Sequence, residues 1–81
     1  MAQWEKTLER MRESPQGDWS IDDLERIAAR AGITCRKPGS SHATFSHPAI
    51  EEILTVPMHR PIKAFYVRRF VDLVDEALKM K

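Results

Sequence analysis

Two histidines, His42 and His47, lie five positions apart in the uncharged segment GSSHATFSHP, residues 39–48. The basic residues Arg36 and Lys37 come shortly before this segment. Imidazole changes its charge near neutral pH, so a histidine can accept or donate a proton under cellular conditions. Basic neighbours can hold a phosphodiester and stabilise the charge that builds on it during cleavage. The segment is therefore compatible with a metal site, a catalytic centre or an ordinary edge strand.

The spacing of the possible ligands argues against a metal site. The three histidines and Cys35 match no common zinc pattern such as Cys-x-x-Cys. In a strand, residues i and i+5 point to opposite faces, so His42 and His47 are poorly placed to share an ion. The chain also lacks a G-x-S-x-G elbow for a serine nucleophile and a glycine-rich phosphate loop. We therefore expect no metal and no other cofactor.

The hydrophobic pattern predicts three helices and three short strands that must position these residues. Apolar residues recur with helical spacing in the first, second and last parts of the chain, and with a period of two between them. Ser20 is a good N-cap for the second helix, and Gly32 a good residue to end it. Pro61 fits the first turn of the last helix. The predicted elements are helices over 3–13 and 21–31, strands over 33–37, 42–47 and 52–57, and a helix over about 62–79.

This order, α-α-β-β-β-α, predicts an α+β fold with a three-stranded antiparallel meander. The last two helices can cover one face of the sheet and leave the other face to solvent. Alternation along the second strand points Ala43 and Phe45 towards the helices. His42 is then expected on the open face or its rim, next to the turn over residues 37–41.

Length and composition indicate one small domain. The chain has 81 residues and one cysteine, Cys35, so no intramolecular disulfide can form, which suits a reducing cytoplasm. The first residues, MAQWEKTLERMRES, do not have the pattern of a signal or transit peptide, and no run approaches the roughly 18 apolar residues of a membrane span. We expect a single cytoplasmic domain over 1–81, with an additional helix and linker at 1–17 and a core at 18–81.

The charge is unevenly distributed along the chain. Residues 1–31 carry five basic and seven acidic side chains, whereas residues 32–81 carry eight and five. The excess of positive charge thus lies in the half of the chain that contains the histidines. Such an excess modestly favours a polyanionic ligand near that half.

A histidine on an exposed sheet face among basic residues suits RNA cleavage. RNA carries its own nucleophile, the 2′-hydroxyl group, so a ribonuclease needs only a base, an acid and cations. His42 would supply the proton transfer, and the basic residues that we expect around it are Arg36, Lys37, Arg60 and Lys63. The alternative is that His42 is an ordinary exposed strand residue, which spacing alone favours.

Three segments resemble the HicA family of bacterial toxins. They are SSHATFSHP at 40–48, LTVPMHRPIK at 54–63 and YVRRFVDLV at 66–74. Family members share a Gly-Ser-His strand motif, a following Val-Pro-x-His segment and a C-terminal helix. In this chain Ser40 separates Gly39 from the Ser-His pair.

The resemblance implies a fold like the double-stranded RNA-binding domain and a metal-independent ribonuclease that cleaves mRNA. It also implies a cognate HicB-like antitoxin, and its catalytic histidine corresponds to His42. With Ser41 from the motif, the predicted RNA- and phosphate-binding residues are Arg36, Lys37, Ser41, Arg60 and Lys63. The alternatives are a non-catalytic RNA-binding module of the same fold and a protein-interaction domain. No membrane partner is expected.

Three further residues have simpler interpretations. His47, just before Pro48, is predicted to be an exposed strand end. His59 lies in the Val-Pro-x-His match and is predicted to cap or orient the last helix. Cys35 is predicted to be a small core residue.

Overall fold

The computed structural model describes residues 2–39 and 41–80, and its elements follow the order α-α-β-β-β-α. The strands form one antiparallel sheet in the order β1-β2-β3. The predicted α+β class and the three-stranded meander are confirmed. The elements are α1 (Gln3–Glu13), α2 (Ile21–Ala31), β1 (Thr34–Arg36), β2 (His42–His47), β3 (Ile50–Pro57) and α3 (Ala64–Lys79).

Helix α2 begins and ends at the residues that its sequence signals indicate. The backbone N–H of Ser20 donates to the Asp23 carboxylate at 3.0 Å, and the N–H of Asp23 donates to Ser20 Oγ at 3.4 Å. These two bonds satisfy N–H groups that a helix start otherwise leaves without partners. At the other end, Gly32 has a φ of 76°, a left-handed conformation that glycine adopts without steric penalty.

Strand β2 separates a covered face from an open face. Ala43 and Phe45 are fully buried, whereas His42 is exposed. Helix α2 packs on β1 and helix α3 on β3, so both helices cover the same face of the sheet. The Phe45 ring meets the Phe70 ring of α3 edge to face, with 5.1 Å between the ring centres. The predicted orientation of β2 is confirmed.

Helix α1 belongs to the same hydrophobic core as the rest of the chain. It packs on α2 and α3, and its residues Leu8 and Met11 are buried among their side chains. Arg12 also forms a two-point ion pair with Asp75 of α3, with N–O distances of 2.5 and 3.0 Å. The additional helix α1 thus contributes side chains to the core that the rest of the chain forms.

Two strand boundaries differ from the prediction for local reasons. Strand β1 begins at Thr34 because the N–H of Ile33 still donates to the Ala28 carbonyl at 2.9 Å, as part of the end of α2. Strand β3 begins at Ile50, which pairs with His47 across a short turn. The whole eight-residue segment Ile50–Pro57 thus follows β2.

The last helix begins later than Pro61 predicts. Helix α3 begins at Ala64, with Lys63 as its N-cap residue, so Pro61 lies in the connection before the helix. The reason is that the N–H of the next residue, Ile62, donates to the Trp19 carbonyl at 2.9 Å. This bond holds Ile62, itself buried, against the α1–α2 linker.

Part of the predicted 37–41 turn, Ser40, lies outside the described residues. Among the described residues, Gly39 does not have a positive φ, and a Cβ atom built on it meets none of their atoms within 4 Å. Within residues 2–39 and 41–80, no helix has the length and apolar character needed to cross a membrane.

Candidate functional site

His42 is exposed at the start of β2, where the neighbouring strand and Ser41 hold it in position. It lies opposite Pro57 of β3 in the strand register. The Ser41 carbonyl accepts a hydrogen bond from the Met58 N–H at 2.9 Å, which extends the strand pairing past His42. The Ser41 hydroxyl lies 3.0 Å from Nδ1 of the His42 ring. The predicted catalytic residue and its motif neighbour are thus brought together on the open face.

The hydrogen bond at Nδ1 determines what the other ring nitrogen can do. When Nδ1–H donates to Ser41 Oγ, Nε2 has a free lone pair and can accept a proton. When the ring is protonated, Nδ1–H still donates to Ser41 Oγ, and Nε2–H can give its proton to a leaving group. Either arrangement leaves Nε2 as the reactive atom, so the pair is suited to general base or general acid catalysis.

Arg36 lies on the same face of the sheet as His42. It is opposite Thr44, and Thr44 is opposite Thr55, so these three residues form one row across the sheet. Residues directly opposite one another in antiparallel strands share a face, and His42 has the same parity as Thr44. His42 is therefore the diagonal neighbour of Arg36, about 7–8 Å away, within reach of a long side chain.

Lys37 is held on the other side of β1. Its ammonium group forms an ion pair with the Glu25 carboxylate of α2, and this bond raises the pKa of Lys37. The thiol of Cys35 lies 3.8 Å from the same carboxylate. Arg36 follows Cys35 in β1, so the alternation of the strand points Arg36 to the opposite face. The structure therefore does not bring Lys37 to the open face with His42.

Arg60 and Lys63 lie in and just after the connection between β3 and α3. Arg60 binds Asp18 of the α1–α2 linker at two points, both at 3.0 Å, and this pairing raises the pKa of Arg60. Lys63 and Arg36 are exposed and form no ion pair with any residue that the structure describes. These two predicted cations are thus available to bind a ligand, whereas Lys37 and Arg60 already hold carboxylates.

The remaining candidate residues are His47, His59 and Cys35. Nδ1 of His47 accepts the Ala49 N–H at 3.0 Å, and this bond stabilises the β2–β3 turn. His47 is half-buried, whereas the sequence predicted an exposed strand end. His59 is exposed in the connection before α3. Cys35 is half-buried, and burial raises the pKa of its thiol, which keeps it a weak nucleophile. No cluster of three or more metal-ligating side chains occurs in the described part of the chain.

The sequence did not predict that Thr44 and Thr55 form a row beside Arg36. Alternation alone placed Thr44 on the face of His42, but hydroxyl groups at Thr44 and Thr55 become one surface only through the register of β3. That register depends on the position of the β2–β3 turn. The sequence signal that could have located this turn is His47 before Pro48, because the His47 ring accepts a hydrogen bond from the turn backbone.

Comparisons of this chain with models of protein families, with curated proteins and with solved structures find no match. The resemblance to the HicA family thus rests on the sequence motifs alone. The fold and the site define a class of protein: an α+β domain with a Ser-His pair and a polar row on the open face of its sheet.

Proposed function

We propose that the chain is a HicA-type toxin, a ribonuclease that cleaves mRNA in the cytoplasm with His42 as its general acid or base. The single observation that carries this proposal is the exposed imidazole of His42, bonded to Ser41 through Nδ1. The order α-β-β-β-α after helix α1 agrees with the proposed similarity to the double-stranded RNA-binding domain.

In the proposed reaction, Nε2 of His42 takes the proton of a ribose 2′-hydroxyl group. The resulting 2′-oxygen attacks the adjacent phosphorus to form a 2′,3′-cyclic phosphate. The bond from phosphorus to the 5′-oxygen breaks, and the leaving 5′-oxygen takes a proton from water. The phosphate gains negative charge on its way to the transition state, and a nearby guanidinium group stabilises that charge. Arg36 is suited to this role because it shares the open face with His42.

Lys63 is the second cation proposed to contact the RNA. Its side chain is exposed at the start of α3 and is not committed to an ion pair with a described residue. Arg60 can add a third contact only by leaving Asp18. RNA binding is thus expected to use two principal phosphate contacts, while Ser41 orients the imidazole.

The direct test is cleavage of single-stranded RNA by the purified chain in the presence of EDTA. Cleavage should proceed, should stop when the RNA carries 2′-O-methyl groups, and should fall by about 100-fold or more in His42→Ala, since general acid–base catalysis contributes that much. The matched control is His47→Asn. Its amide oxygen can still accept the Ala49 N–H, and its cleavage should equal that of the wild type.

A contaminating nuclease would act equally in all three preparations, so the comparison between variants identifies the activity of this chain. Circular dichroism and a thermal melt should show His42→Ala folded, since the side chain is exposed. A folded His42→Ala protein that cleaves RNA at the wild-type rate would refute the catalytic role.

A non-catalytic RNA-binding module is the second candidate. The row of Arg36, Thr44 and Thr55 favours it, because a cation and two hydroxyl groups can hold an RNA backbone without any proton transfer. In that case the chain would bind the RNA and leave it intact. Binding measured by fluorescence anisotropy, together with intact RNA after long incubation, would support this candidate over the first.

The partner proposed with the toxin is a HicB-like antitoxin that covers the open face. To block RNA access it has to lie over His42 and Arg36, and acidic groups over Arg36 would complement its charge. A HicB-like reading frame next to the gene would support this assignment. With a purified antitoxin, Arg36→Glu should weaken both the antitoxin complex and RNA binding.

A further inference from the structure

The two edge strands of the sheet differ in length and surroundings. Strand β1 has three residues, whereas β3 has eight. Two large hydrophobic side chains are exposed beside β3: Ile53 on the strand, 61% exposed, and Phe65 on α3, 59% exposed. The Arg69 guanidinium lies over the Phe65 ring at 5.7 Å and binds Glu52 of β3 at 2.7 Å. Phe65 and Arg69 therefore lie on the side of α3 that faces the β3 edge.

The backbone of β3 offers hydrogen-bonding groups at this edge. The Met58 N–H donates to Ser41, so in an antiparallel pair the backbone groups of Val56 and Leu54 also point towards β2. Those of Thr55 and Ile53 then point away from β2, towards the edge of the sheet. Such a row of peptide groups can pair with a further strand.

A second copy of β3 fits this row without electrostatic conflict. If Leu54 lies opposite Leu54 of the second copy, Ile53 of each copy lies opposite Thr55 of the other. The backbone groups that point outwards then meet one another. Glu52 comes opposite Val56, and Glu51 opposite Pro57, so no carboxylates face each other across the strands.

Helix α3 carries a stripe that is complementary to itself. Phe65, Arg69, Asp72 and Glu76 follow one another at spacings of four, three and four residues, so they share one side of the helix, and all are exposed. The first half of the stripe is apolar and basic, and the second half is acidic. In an antiparallel pair of α3 helices, Arg69 of each copy, which also holds its own Glu52, lies beside Asp72 of the other.

One two-fold axis can relate both the strand pairing and the helix pairing. Phe70, near the middle of the stripe, packs on Phe45 with 5.1 Å between the rings. Phe45 is opposite Leu54 in the strand register, and Leu54 is the centre of the self-pairing of β3. The centre of the stripe thus lies near the centre of the strand. Two-fold dimers use the same patch on both subunits, which this arrangement requires.

We propose that the chain forms a two-fold symmetric dimer through the β3 edge and the α3 stripe. The dimer makes one continuous sheet from two copies and covers Ile53 and Phe65. It leaves the two open faces on the same side, with each His42 accessible. The dimer does not depend on the proposed RNA cleavage, since it uses neither His42 nor Arg36.

Sedimentation equilibrium of the full chain tests the dimer through a pair of charge reversals. Arg69→Asp places two carboxylates together at each end of the helix pair, and Asp72→Arg places two guanidinium groups there. Each variant alone should dissociate at least about tenfold more readily than the wild type, because like charges across an interface are strongly unfavourable. An equimolar mixture should dimerise again, since the carboxylates of the first variant then face the guanidinium groups of the second at both ends.

Two controls accompany this experiment. Arg10→Asp makes the same reversal on an exposed residue of α1, away from β3, and should leave the dissociation constant unchanged. Ile53→Lys should weaken the dimer by disrupting the strand pairing, while thermal melts confirm that each variant is folded. A wild-type chain that stays monomeric at all concentrations, or a mixture that does not dimerise better than its components, would overturn the proposal.

Discussion

The covered and open faces of the sheet are built from alternating residues of the same strands, yet different interactions stabilise them. Ala43, Phe45 and Val56 on the covered face are fully buried against the helices. On the open face, His42 is exposed and its position depends on one hydrogen bond to Ser41 and on the strand pairing. Folding stability and candidate chemistry can therefore be changed separately by substitutions a few residues apart.

The largest expected effect is on the covered face. Phe45→Ala removes a fully buried ring that packs on Phe70, and we expect a loss of about 3–5 kcal/mol in the free energy of unfolding. That loss is comparable to the whole stability of a small domain. Chemical denaturation followed by circular dichroism measures it.

Thr44→Ala is the matched control for this comparison. Thr44 is the preceding residue in β2, only partly buried, and faces away from the helices. Its substitution should cost less than about 1 kcal/mol, as is usual outside packed cores. Equal losses for the two variants would show that the faces of β2 do not differ in the way proposed.

A smaller effect on stability is expected from substituting two glycines: Gly32, which ends α2, and Gly39, in the loop before β2. Gly32→Ala should cost about 1–2 kcal/mol, because φ is 76° there and a Cβ atom is disfavoured in the left-handed region. Gly39→Ala should leave stability unchanged or raise it by up to about 1 kcal/mol, since it lacks a positive φ and has open space around it. Thermal melts of both variants give the two values. A loss at Gly39 as large as at Gly32 would contradict the loop geometry near the site.

The smallest expected effect distinguishes Arg36 from Lys37 in RNA binding. Removing one phosphate contact with single-stranded RNA makes the log–log slope of affinity against salt shallower by about 0.7. Arg36→Ala should show that change, whereas Lys37→Ala should show less, because Glu25 holds the Lys37 ammonium group. Anisotropy of labelled RNA at several salt concentrations, in a His42→Ala background that prevents cleavage, measures both slopes. A larger change for Lys37 would mean that it leaves Glu25 to bind RNA.

Local sequence was sufficient for most of the fold. Ser20 and Gly32 mark the ends of α2 because capping bonds and left-handed ends involve residues only a few positions apart. The alternation in HATFSH predicts which residues of β2 face the core because the side-chain period of a strand is two. The exposed position of His42 follows from the same period. Pro61 predicted a start of α3 that is too early, because a hydrogen bond from the Ile62 N–H to the carbonyl of the distant Trp19 determines that boundary.

Tertiary structure alone decided which basic residues remain available beside His42. Lys37 pairs with Glu25, and Arg60 pairs with Asp18, 42 positions away, whereas Arg36 forms no ion pair with a described residue. Arg36 joins Thr44 and Thr55 in one row only because the strands align in one register. A long cationic side chain reaches any carboxylate that the fold brings near it, and the sequence spacing of the two groups does not encode that distance.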